Sequence, residues 1–266
     1  MARPMAGDIS ELPVDSLKRF LHQQMSRKII GVAVLGELAH GFGAEGSPLV
    51  LKGLHVEPTE NLVGLATSPS TINWVGEHEG LLVDFSSLEI GRASPALLRG
   101  DGSVLERVLA PLQIIGGQDL RRLQQVTRGV ICRRFFNHYR EFSRGVLKDF
   151  EGQPPCTLRR CLSAYRTGLT GVHLLRTGEL ELDLLTLAGT YGYPQLEQLV
   201  REHLARPGAR LDESSPWINR LARLHALLDS AYESSQLPVD PPAPAELEEY
   251  LLDMRRRFFD AHTVQQ

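Results

Sequence analysis

The sequence is poor in cysteine: among its 266 residues only Cys132, Cys156 and Cys161 occur. Three thiols cannot make a disulfide framework. No second Cys or His pair accompanies Cys156 and Cys161 to complete a structural zinc site. Free cysteine packs as a small hydrophobe, so helical burial is the expectation for all three. Also missing is an apolar run of about 18 residues, which argues against a membrane span. Residues 1–17 carry no apolar run preceded by basic residues, so no signal peptide is evident, and a cytoplasmic protein is the default. Charge of one sign is not in excess either. With 29 Lys and Arg against 32 Asp and Glu the net charge is −3, which exerts no global pull toward nucleic acid or acidic membranes.

Familiar catalytic signatures are absent as well. Between Gly31 and Gly53 no Gly-Lys-Ser/Thr ending makes a phosphate loop. The glycines from Gly36 to Gly46 do not fit the dinucleotide fingerprint, because a second strand follows too soon for a crossover helix. There is no Gly-x-Ser-x-Gly elbow, and the histidines are scattered rather than spaced for zinc.

What remains is an ordinary apolar fraction of 42%, enough to bury one large or two modest cores. Leu17, Phe20, Leu21 and Met25 share one face of a helix over 15–26. Ile29 to Leu35 is a continuous apolar, largely β-branched run, the pattern of a strand buried on both faces, and Gly36 ends it. A small-residue stretch over 37–47 leads to a second strand over 49–56. Short strands are predicted over 62–66 and 81–85, with Asp84 near the end of the latter. Helices follow over 90–98 and 103–109. From Asp119 the pattern is helical throughout: one long segment to Phe150, another over 158–176 stopped by Thr177-Gly178, then 182–188, 193–204, 217–233 and 244–259. Tyr139, Phe142, Phe150, Phe258 and Phe259 fall at core spacing. The reading is an α+β fold, a mixed sheet with flanking helices over 1–115 and an all-helical region over 116–266.

The stretch from Gly36 through Ala39, His40, Gly41, Ser47, Lys52 and Gly53 to Val56 resembles the DNA polymerase beta-like nucleotidyltransferases. Within them it looks like a predicted group associated by name with RNA repair. The resemblance continues in Asp84–Ile90, Leu97–Pro111, Leu158–Arg166, His173–Glu179 and Ser235–Pro238. It implies a nucleotidyltransferase-like sheet domain in which a Gly-Ser pair holds a nucleoside triphosphate. Two aspartates at i and i+2 on the second strand, with a third carboxylate from a later strand, would then share Mg²⁺ ions. It implies Gly36, Glu37, His40, Gly41, Ser47 and Lys52 as the nucleotide-binding set, and Asp84 as the surviving catalytic carboxylate.

The departures fall on that chemistry. Glu37 stands where the family has Ser, Pro48 where it has the first Asp, and Val50 where it has the second. Proline and valine offer no oxygen to a hard cation. Mg²⁺ belongs to the reading only if the enzyme is active, and a cluster rebuilt from Glu37, Glu45 and Asp84 is the way it could be. Against that, Glu37 would cap the following helix, Glu45 would be solvated and Asp84 would itself be a cap. Lys52 and Arg99 could meet phosphate. Arg159, Arg160 and Arg166 could contact a triphosphate or nucleic acid, or form ion pairs instead. The sequence thus points to a catalytically degenerate family member, a nucleotide-binding, regulatory or partner subunit acting beside an active paralogue. An active enzyme with rearranged acids, or a helical interaction module, is the alternative.

Overall fold

The computed structural model of the chain describes residues 12–65, 68–152, 156–211 and 216–259. In chain order the elements are α1 (Val14–Gln24), β1 (Lys28–Leu35), α2 (Gly36–Ala39), β2 (Leu49–Val56), α3 (Thr59–Val63), β3 (Thr71–His78), β4 (Leu81–Glu89), α4 (Ile90–Leu98), α5 (Gly102–Leu109) and β5 (Gln113–Ile115). Helices α6 (Gln118–Arg128), α7 (Phe135–Gly152), α8 (Leu158–Thr177), α9 (Leu184–Tyr191), α10 (Leu196–Ala205), α11 (Pro216–Ser234) and α12 (Pro244–Arg257) complete them. The predicted α+β architecture holds.

The sheet runs β3-β4-β2-β1-β5. Only β2 and β4 are parallel; the other pairs are antiparallel. The β-branched run of β1 is buried on both faces, as its composition demands. A bulge between Ile29 and Gly31 swaps the faces. Beyond it Val32 and Val34 face α1, whose Leu17, Phe20 and Leu21 pack against them with Leu49, Leu51, Val83 and Phe85. Each such fully buried side chain contributes about 1.5–3 kcal/mol. On the opposite face one cluster runs from Ile30, Leu54 and Val56 through α4 and α5 into the helices that follow.

In the back half α8 is the axis, with α7, α9, α10 and α11 around it. Its Thr157 cap accepts from the Arg160 N–H, and Gly178 at φ 77° ends it while donating to Leu174 O at 2.8 Å. That is the predicted glycine stop, a left-handed position a side chain would resist. Helix α12 returns to the front half: its Arg255 pairs with Glu89 at 2.7 Å, and Thr59 Oγ1 donates to Arg255 O at 2.8 Å.

Several expectations are corrected. The strand predicted over 62–66 is a helix ending at Val63, started by Pro58; residues 66 and 67 lie outside the described residues. The long helix to Phe150 is broken between Arg128 and Phe135, because Val130, Ile131 and Cys132 turn into the core. Strand β4 extends to Glu89, so Asp84 is internal to it and Glu89 caps α4. Strands β3 and β5 were not predicted. Tyr139, Phe258 and all three cysteines are buried, whereas Phe142 and Phe259 are exposed; the Phe150 side chain lies outside the described residues. Among the described residues no helix is long and apolar enough to cross a membrane.

Candidate functional site

The turn out of β1 is set by Gly36, whose φ of 73° brings the backbone against β2: a Cβ there would lie 2.7 Å from Val50 Cγ2. Short helix α2 follows, and the loop after it is pinned by Phe42 N–H donating to Glu37 O at 3.0 Å and Leu184 N–H donating to His40 O at 3.0 Å. Glu37 does not cap α2, which has no side-chain cap. Its carboxylate is buried, ion-paired with Arg159 of α8, and accepts a hydrogen bond from Ser47 Oγ at 3.0 Å. His203 Nε2 of α10 stands 3.5 Å away. The acid at the position where the resemblance implies a phosphate cradle therefore joins the front half to the back half.

The positions where the resemblance implies metal ligands come next. In register, Val50 lies between Leu35 of β1 and Asp84 of β4. Val50 packs with Ala33, Leu35, Ala110, Leu180 and Leu182, so the segment between α8 and α9 closes this point with apolar surface. Pro48 precedes the strand. Asp84 faces Lys52, Nζ to Oδ1 3.6 Å, in a pair that is partly open to solvent. Burial lowers the Lys52 ammonium below its usual range and Arg107 adds to this, while Asp84 opposes it. Arg107 is itself lowered by burial, and its guanidinium donates to Gly53 O and Ser86 O at 3.3 and 3.2 Å.

The donor set does not fit a divalent ion. One half-open carboxylate with an ammonium beside it, flanked by valine and proline, lacks the oxygens that Mg²⁺ needs. Glu45 is exposed. Among the described residues no three His, Cys, Asp or Glu side chains gather to hold a metal ion, so Glu37, Glu45 and Asp84 are not brought together.

The remaining candidates divide clearly. Gly41 turns the loop at φ 80°. His40 is buried, and burial, with the charge of Arg166 behind it, holds its imidazole well below the usual range, so it is neutral. Arg166 forms a buried ion pair with Glu106 at 2.6 Å and is not free for phosphate. Arg99 is exposed.

Sequence reasoning missed the opposite end of β2 and β4, where a cleft of about 370 Å³ is lined by Glu57, Asn61, Ser68, Glu89, Arg92 and Arg255, among others. Arg27 donates to Glu57 at 2.6 Å, joined by Asn61 and Ser68 at 2.7 and 2.9 Å. Burial would raise the Glu57 carboxyl, yet these hydrogen bonds hold it below its usual range. The available signal was two acids at strand ends, Glu57 before Pro58 and Glu89 before a helix start.

A buried first strand, a glycine turn, a second strand in antiparallel register and a third strand carrying one carboxylate beside it form the layout that the sequence resemblance implied. A family model, the RNA repair pathway DNA polymerase beta family, matches residues 10–253. No curated protein matches. Among solved structures, a nucleotidyltransferase-like protein from Exiguobacterium sibiricum is similar over 91% of this chain and 79% of its own, at 14% identity and a TM-score of 0.33. With the family model spanning nearly the whole chain, the protein belongs to the RNA repair pathway DNA polymerase beta family.

Proposed function

We propose that this chain is a nucleotidyltransferase-fold protein that transfers no nucleotide and works by binding, as a partner or regulatory subunit. One observation carries the reading: the position beside Asp84 belongs to Val50, held in an apolar cluster with Leu35 and Leu182. Without paired oxygens the site cannot hold the ions that activate an attacking hydroxyl and stabilise a leaving pyrophosphate. That loss removes several kcal/mol of transition-state stabilisation. Nucleotide, if it is the ligand, would meet Lys52 and Arg107 on the sheet face and bind without a metal ion. The three buried thiols suit a reducing cytoplasm.

The test is transfer from each α-labelled ribo- and deoxyribonucleoside triphosphate, with Mg²⁺ or Mn²⁺, to RNA and to protein, with pyrophosphate release followed in parallel. The expected result is no signal above background. Transfer that disappears in D84A would overturn the reading. Calorimetry with each triphosphate, with and without metal, then tells metal-free binding from none.

A further inference from the structure

The surroundings of Glu37 hold more donors than one ion pair requires. Three groups from three separate places converge on its carboxylate: Ser47 Oγ, which donates at 3.0 Å; the Arg159 guanidinium, reaching in from the first turn of α8; and His203 Nε2, at 3.5 Å from the last turn of α10. His203 is 2% exposed, and neither ring nitrogen makes a hydrogen bond among the described residues. A buried imidazole with both nitrogens unbonded is an exception to the rule that buried polar groups find partners. Here it faces a buried oxyanion across a gap slightly too long for a hydrogen bond. Arg159 is more than half exposed, so its guanidinium reaches the carboxylate from the solvent side.

We propose that Ser47, Arg159 and His203 form an anion-binding subsite, and that the chain fills it with its own Glu37 carboxylate. The ligand class it would accept in place of Glu37 is a phosphate or polyphosphate. A phosphate offers more acceptor oxygens than a carboxylate, and those could satisfy His203 as well as Arg159 and Ser47. Because the donors belong to α8, α10 and the loop before β2, the internal carboxylate also clasps the helical half to the sheet. A competing anion would have to open that clasp. The subsite is thus self-inhibited, and it stands on its own geometry whether or not the chain transfers nucleotides.

The test is binding rather than transfer, so its failure is separable from failure of the functional reading. Inorganic tripolyphosphate and ATP, both without metal, are titrated into the wild-type chain, E37A and E37Q. The wild type should not bind tripolyphosphate at millimolar concentration, and any ATP held at Lys52 and Arg107 should bind the wild type and E37A alike. E37A should gain tripolyphosphate affinity by at least tenfold, and E37Q, whose amide still fills the space, should not. E37A/R159A should lose the gain. Equal affinity for ATP and tripolyphosphate in E37A marks a phosphate-tail subsite, whereas a preference for tripolyphosphate marks a free polyphosphate site; both support the proposal. A folded E37A without the gain, or a wild type that already binds tripolyphosphate as well as E37A, overturns it. E37A will be destabilised, and there thermal unfolding decides. Tripolyphosphate should raise the melting temperature of E37A and leave that of the wild type unchanged, because the added anion replaces the missing carboxylate. An E37A that tripolyphosphate cannot rescue counts against the proposal.

Discussion

At one end of the parallel β2–β4 pair stand Val50, Lys52 and Asp84; at the other stand His55, Glu57 and Glu89. The first end is where the family resemblance places chemistry, and its charges are half open: among the described residues Asp84 pairs with Lys52 at 3.6 Å. The second end has no assigned chemistry, yet Glu57 and Glu89 are 1% and 4% exposed and each is held by an arginine. Buried charge survives only when fully paired, and removing one partner leaves the other uncompensated. The contrast teaches that structural demand is greatest where the sequence drew no attention. The largest expected effect is therefore at Glu89, which caps α4 through the Gly91 N–H at 2.7 Å and binds Arg255 of α12. E89A should destabilise the protein by about 3–5 kcal/mol, read from urea unfolding. A change below about 1 kcal/mol, the scale of surface pairs, would erase the contrast.

His55 lies between those two acids and donates or accepts at Ser87 Oγ, 2.8 Å from Nδ1. Burial pushes its pKa down to about 4, despite the attraction of Glu89 and Glu57. A depressed histidine stays neutral when folded, while the unfolded chain takes up the proton near pH 6.5. Its contribution is therefore complete above about pH 6.5 and is lost as pH falls from there to about 4, by up to about 3 kcal/mol. His40 works in the same direction. Stability measured from pH 7.5 to 4 should fall, and H55F should flatten the slope by the equivalent of about one proton. An unchanged slope would place the acid sensitivity elsewhere.

The parts of this architecture that the sequence revealed are those written in contiguous residues. The run Ile29–Leu35 and the strand 49–56 stood out because burial on both faces leaves no polar interruptions. Helix α8 stood out because Gly178 stops it. Strand β3 was hidden: Thr71 to Trp74 alternate polar-exposed and apolar-covered, but Val75 then faces outward and Gly76 and His78 inward, so the pattern breaks halfway. Strand β4 read as ending at Phe85 because Ser86 and Ser87 look like a turn, whereas they serve Arg107 and His55. At the site, the departures of Pro48 and Val50 from the pattern that the resemblance implies were legible by position. The fate of Glu37 was not, since Arg159 and His203 lie more than a hundred residues away and only the tertiary fold brings them in.

A smaller effect is expected from placing at Val50 the carboxylate that the resemblance implies. V50D would place a carboxylate among Ala33, Leu35, Leu180 and Leu182. Because the position is only partly buried, the change should destabilise by about 1–3 kcal/mol, within the range for an unpaired polar group. With Pro48 still in place, Mn²⁺ affinity measured by electron paramagnetic resonance should not rise appreciably. Tight Mn²⁺ binding by V50D alone would mean that the apolar packing yields easily, and the two ends of the strand pair would differ less than their burial implies.

The smallest effect should come from Asp84 itself. Its side chain is 42% exposed and its pairing with Lys52 is a single long contact, so solvent screens most of the attraction. D84A should change stability by less than about 1 kcal/mol and should move the Lys52 ammonium further below its usual range, since the attraction that opposes burial is gone. The first quantity is read by chemical denaturation, the second by NMR titration of the lysine. If D84A proved as damaging as E89A, Asp84 would be bearing structure through contacts that the Lys52 pair does not explain. If instead it abolished a measurable transfer reaction, a carboxylate with one ammonium partner would be sufficient for chemistry.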